Sequence, residues 1–226
     1  MIKTLLYKDA TARSLQIACL AAVYWVIVVY AVALMPISMD ESGNNPLNNV
    51  SSMTLASQAT VIIAAILANI EIRSGETMMA ALIAGSRRRM ACALMVEKVA
   101  IIVIAGLFLT ALNTIGNGII YGIGDTGRLA FQYLLLAVMD GIAALSLSLF
   151  TRSVLLGLSV YVFVPMLLKP FIVYLIPAAN GLFYPAAIRG ATAVDHSLAG
   201  ILVLILWLFV FLIMGYAAAS RRACRR

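Results

Sequence analysis

Charge is what this sequence has least of: Asp, Glu, Lys and Arg together make up 11% of 226 residues, against roughly a quarter in a soluble domain. That shortage excludes an ordinary water-soluble fold. Histidine occurs once and cysteine three times, widely scattered, which removes both the ligand spacing of a zinc site and the framework of a disulfide-stapled domain. His196 stands beside Asp195 with no nucleophile or orienting partner in view, so the pair reads as a helix-start feature rather than a catalytic dyad. No G-x-x-x-x-G-K-[ST] sequence occurs, so the chain has no phosphate loop of its own. No catalytic residue, metal ligand or directly bound cofactor is predicted.

Apolar residues are abundant instead, at 64% of the chain and a mean hydropathy of +1.05. Runs of about 18 or more apolar residues are the mark of a bilayer-spanning helix. Six such runs are present, roughly Leu15–Pro36, Thr54–Ile72, Val99–Gly116, Leu129–Phe150, Val154–Leu175 and Ala199–Ala219. The predicted fold is an all-α integral membrane protein with six transmembrane helices, a single domain over residues 1–226. No A-x-A site follows the first run, which is therefore read as retained.

The six runs place Lys3, Lys8, Arg13, Arg73, Arg87, Arg88, Arg89, Lys98, Arg152, Arg221, Arg222, Arg225 and Arg226 on one side and only Arg128 and Arg189 on the other. The cation-rich side is cytoplasmic, so both termini are expected there. The net charge of +7 is thereby assigned to topology and anionic lipid rather than nucleic acid.

Between the spans, the first fourteen residues suit an amphipathic interfacial helix or a charged topogenic flank. Thr151-Arg152-Ser153 forces the fourth and fifth spans into an antiparallel hairpin. After the fifth span Pro177, Asn180, Gly181, Pro185 and Gly190 interrupt an apolar stretch. Interrupted backbone at membrane depth requires shielding by protein or a water-filled cavity; a re-entrant external segment is preferred to a plain surface loop.

An ionisable group within a span is a functional candidate by default, costing about 2.5 to 3.5 kcal/mol on insertion scales. Asp140, near the middle of the fourth span, either lines a substrate path or makes a polar packing contact. Lys169, between Pro165 and Pro170, either snorkels to the surface or contacts substrate. Gln58, Asn69, Asn113 and Gln132 are further intramembrane polar residues, suited to hydrogen bonds between helices.

The segment from Arg73 to Lys98 carries its own pattern. Met78, Met79, Leu82 and Ile83 form one apolar strip on a short cytoplasmic helix, ending in Ser86-Arg87-Arg88-Arg89. Such a strip needs a protein groove or the bilayer surface, and methionine suits an adaptable groove contact.

Glu71-Ile72-Arg73-Ser74-Gly75-Glu76-Thr77, then Gly85-Ser86-Arg87 and Lys98, resembles the coupling region of the type-2 ABC transporter permeases, with Glu76 interposed between Gly75 and Thr77 and Lys98 about one helical turn late. The resemblance extends to the six spans, the amphipathic N-terminus and the broken segment before the last span. It implies a non-catalytic permease subunit of a bacterial plasma-membrane exporter that dimerises or pairs with a similar subunit. A cytosolic ATPase partner would hold ATP and Mg and receive a coupling helix formed by Glu71, Arg73, Gly75, Glu76, Met78, Met79, Leu82, Ile83, Ser86 and Arg87. The substrate would be an amphiphile such as an antimicrobial peptide, drug or lipid. An ATP-independent secondary carrier, with Asp140 and Lys169 as coupling charges, and a non-transporting assembly subunit stand as the alternatives.

Overall fold

The computed structural model describes residues 16, 17, 19–24, 27, 28, 46–74, 86–121, 126–192 and 198–222. Within these, helix α1 spans Pro46–Ser74, α2 Arg87–Tyr121, α3 Thr126–Thr151, α4 Val154–Phe163, α5 Lys169–Leu175, α6 Tyr184–Ala191 and α7 Leu198–Arg222. A π turn at Val164–Leu168 joins α4 to α5, and a 3₁₀ turn at Pro177–Leu182 precedes α6.

Among the described residues, four helical stretches are long and apolar enough to cross a membrane: Arg88–Gly116, Ala130–Thr151, Val154–Leu175 and Leu198–Arg221. They coincide with the last four expected spans. The second expected span appears as the shorter apolar stretch Ala56–Ile72 within α1. Of the first, the described residues between 16 and 28 are helical, and Ala22 is buried in the same core as α1 and α3. The rest of that run, and the N-terminal amphipathic segment, lie outside the described residues.

Helix α3 is the axis of the bundle and packs on α1, α2, α4 and α7. Every residue from Met139 to Ser146 is buried, as expected of a helix enclosed on all sides. Helix α1 meets it with Ala56, Ala59, Thr60, Ile63, Ala64, Leu67 and Ala68, a helical i, i+3, i+4 face of mostly small residues. Small residues suit this setting because lipid offers no hydrophobic drive between helices, so association rests on close van der Waals packing.

The glycines make the closeness measurable. A Cβ on Gly141 would lie 2.7 Å from Ile102 and 2.8 Å from Thr60, and one on Gly157 would lie 2.5 Å from the Ser148 backbone. Backbone cannot step aside as a side-chain tip can, so Gly157→Ala is expected to destabilise the protein by about 1–3 kcal/mol. Gly181, with nothing within 4 Å of its Cβ position, is the control. A Gly157→Ala melting temperature equal to that of Gly181→Ala would refute the close α3–α4 seam.

The α3–α4 hairpin turns through Arg152 at φ 58. Ser153 then opens α4: its carbonyl accepts from the Gly157 N–H at 2.9 Å and its hydroxyl from the Leu156 N–H at 3.4 Å, which satisfies amide donors left over at a helix start. Farther along, Pro165 and Pro170 remove backbone donors, and the π turn falls where they interrupt the ladder.

Two boundaries differ from the sequence expectation. Lys98 does not open the third span; α2 begins at Arg87 and carries Met90, Ala91 and Leu94 against Ala219 of α7 before it reaches Lys98. The glycine-rich residues 117–128, which lie between the third and fourth apolar runs, are mostly helix, because α2 continues to Tyr121 and α3 starts at Thr126. The first extension has a physical cause, packing on a neighbouring helix that local polarity does not report.

The interrupted stretch after α5 folds back along α3. Tyr184 reaches Asp140, and eight residues later the Thr192 hydroxyl accepts from Gln132 Nε2 at 2.6 Å. Gln132 and Asp140 are eight residues apart on α3, about 12 Å of helix, the same rise as from Tyr184 to Thr192. Helix α6 is thus pinned at both ends, antiparallel to α3. Gly200 of α7 covers its other side, with a Cβ position only 2.8 Å from the Ala187 carbonyl.

Candidate functional site

Asp140 is 4% exposed and sits ten residues from one end of the spanning stretch Ala130–Thr151 and eleven from the other, at mid-depth of the bundle. Three hydroxyls converge on it. Ser57 of α1 donates to Oδ2 and Tyr184 of α6 donates to Oδ1, and the Tyr161 hydroxyl of α4 lies beside the same carboxylate. Hydrogen bonds to a charged acceptor are roughly twice as strong as neutral ones, and low surrounding polarity strengthens a fully satisfied network. Chemically, the carboxylate gathers hydroxyls from three separate elements onto the central helix and so fixes their relative positions.

Aromatic packing completes the same corner. Tyr184 meets Trp207 and Phe211 edge-on at 6.2 Å, and those two stack on each other at 5.3 Å, geometries that ring quadrupoles favour. Trp207 Nε1 donates to the Leu182 carbonyl at 2.7 Å, holding the 3₁₀ turn to α7. Lys169 is half-buried with Nζ 5.6 Å from the centre of the Phe183 ring. A cation over a ring face is attracted to it, so this lysine engages the folded-back segment, where the sequence favoured simple snorkelling.

Gln58 is exposed on α1 and borders a groove of about 340 Å³ with Val61, Ile62, Leu158, Tyr161 and Val162. The groove adjoins the carboxylate cage through Tyr161. Asn113 is fully buried but lies eleven residues along α2 from Ile102, which faces Gly141; at about 16 Å it does not join Asp140. Asn69 borders a second groove, described below.

A second polar centre lies near the Ser74 end of α1. Lys98 Nζ stands 3.8 Å from Glu71 Oε2 and 3.4 Å from Glu97 Oε1. All three are buried, Lys98 to 2% and Glu97 to 1% exposure. Buried ions persist only when paired and hydrogen-bonded. Glu71 and Lys98 stand on the two helices to either side of residues 75–85, so their ion pair ties α1 to α2. Ser86 is half-buried, and its carbonyl accepts from the Met90 N–H at 3.1 Å, starting α2. Gly75, Glu76, Met78, Met79, Leu82 and Ile83 lie outside the described residues, as do the side chains of Arg73 and Arg87, and Asp195 and His196.

Sequence reasoning missed Ser57, Tyr161, Tyr184, Trp207 and Glu97. Tyr161 offered a signal, as a hydroxyl in the middle of an apolar run; so did Tyr184, in the one interrupted stretch. Ser57 offered none, since serine is unremarkable within a span. Among the described residues no group of three or more His, Cys, Asp or Glu is placed to hold a metal ion. In comparisons with known proteins, the chain matches no protein-family model, no curated relative and no solved structure.

Proposed function

We propose that the chain is the membrane-spanning permease subunit of an ATP-driven ABC exporter for an amphiphilic substrate, working as a dimer or beside a similar subunit. The observation that carries this reading is the buried Glu71–Lys98 pair. It joins residues at the two ends of the motif that resembles an ABC coupling region, across the base of a segment whose Met78, Met79, Leu82 and Ile83 need a groove to fill. A clasp of this kind transmits a push on the segment to α1 and α2 together rather than letting it bend one helix. ATP and Mg belong to the cytosolic partner.

In this reading six helices span the plasma membrane with both termini cytoplasmic, and Pro177–Thr192 is re-entrant from the external side. That segment then caps the substrate route, anchored at mid-depth by Asp140 and retained by Lys169, Trp207 and Gln132. Asn113 supports the route from within α2. The ATP-independent carrier would use Asp140 and Lys169 as coupling charges; Lys169 stands over the Phe183 ring.

The test is a capture experiment. The double substitution Met79→Asp with Leu82→Asp places charge on the apolar strip, and recovery of the ATPase with the affinity-purified chain is expected to fall at least about tenfold, the equivalent of 1.4 kcal/mol. Equal recovery at equal expression would remove the strip from the coupling.

A further inference from the structure

The seam between α1 and α4 holds two grooves in series. The first, about 390 Å³, lies beside the Thr151–Ser153 turn, with Arg152, Ser153 and Asn69 as its polar wall and Ile66, Ile72 and Leu155 as its apolar one. The second, about 340 Å³, is lined by Gln58, Ile62, Leu158 and Val162 and is almost entirely apolar. Falling numbers on α1 match rising numbers on α4, so the two grooves follow one another along the same seam.

We infer that this seam is a binding site for one anionic phospholipid, with its phosphate at Arg152 and an acyl chain along Ile66, Ile62 and Val162. Length supports the assignment. From Ile72 to Gln58 is fourteen residues, about 21 Å of helix, which matches one leaflet with its headgroup region, half of the roughly 40–45 Å of a whole bilayer. Polarity supports it as well: the cation lies at one end with Ser153 and Asn69, and the second groove, although Gln58 and Tyr161 also line it, exposes almost only apolar surface. Arg152 is exposed and makes no ion pair among the described residues, and a guanidinium is the side chain best shaped to bind phosphate oxygens. Leu155, 79% exposed within one turn of Arg152, is an apolar contact that a soluble anion would not use. The site is independent of the exporter reading, since it requires only that the bundle be in a membrane.

The experiment measures lipid retention by native mass spectrometry and the melting temperature of the full chain in detergent, with phosphatidylglycerol, phosphatidylcholine or inorganic phosphate added. Phosphatidylglycerol is expected to bind and stabilise more than phosphatidylcholine, and inorganic phosphate alone to have no effect. Arg152→Gln should weaken phosphatidylglycerol binding about tenfold without altering phosphatidylcholine, Arg152→Lys should retain most of it, and Ile62→Trp, which fills the chain groove, should weaken it with the phosphate end intact. Equal binding of the two lipids by the unmodified chain, or unchanged selectivity in Arg152→Gln, would reduce the seam to ordinary lipid contact and overturn the assignment. So would full stabilisation by inorganic phosphate. If Arg152→Gln does not fold, the comparison of lipids on the unmodified chain and the Ile62→Trp result still decide.

Discussion

Replacing Asp140 by alanine is expected to release the folded-back segment Pro177–Thr192 and abolish transport in a reconstituted exporter. The substitution removes the acceptor shared by Ser57 and Tyr184, beside which Tyr161 also sits, and leaves their hydroxyls around a gap. A buried donor without a partner costs about 1–3 kcal/mol, although hydrogen bonds between membrane helices average only about 0.6 kcal/mol by double-mutant cycles. Several partners lost together therefore destabilise by about 2 kcal/mol or more. Asp140→Asn keeps an oxygen acceptor and should fall between; Tyr184→Phe loses one donor and should be mildest. The readout is thiol labelling of a cysteine placed at the exposed Asn180, alongside the melting temperature. Labelling should accelerate in the order Tyr184→Phe, Asp140→Asn, Asp140→Ala. Equal labelling with and without Asp140→Ala would mean that Trp207 and Gln132 hold the segment without the carboxylate.

Lys98→Met should be the most destabilising substitution near the other end of the bundle. It leaves Glu71 and Glu97 buried with their shared cation gone, and breaking a buried ion pair from one side costs about 3–5 kcal/mol. Substituting Glu71→Gln and Glu97→Gln in the same chain should recover much of that loss, because the charge that Lys98 balanced disappears with the carboxylates. Recovery of fold but not of ATP-dependent transport would separate the clasp's coupling role from its structural one. Lys98→Met with the stability of the unmodified protein would contradict the clasp altogether.

The long elements were legible because hydropathy reports length directly: three of the expected spans reappear as helices within two residues of their predicted ends, and a fourth keeps its end at Gly116 but starts eleven residues earlier, at Arg88. The tight hairpin at Thr151–Ser153 was legible for a related reason, since three residues between two spans permit little else. Asp140 stood out because charge at membrane depth is costly. Its partners did not, because Ser57 is 83 residues away and Tyr184 is 44, and nothing local in either says which helix it faces. The same limit hid the clasp. Glu71 and Lys98 were both visible as members of a motif, but their meeting depends on α2 starting at Arg87 and rising past the end of α1, which is set by Met90, Ala91 and Leu94 packing on α7. Lys98, which looked one turn late against the family pattern, is where that extension brings it beside Glu71.

The proposal that ATP is hydrolysed by a borrowed subunit is tested most directly by purifying the unmodified chain from its own membranes in mild detergent and measuring ATP hydrolysis of the recovered assembly. The expected result is a copurifying polypeptide that carries a phosphate loop and no membrane spans, with hydrolysis in proportion to the amount recovered. Recovery of the intact, folded chain with no ATP-hydrolysing partner would contradict it.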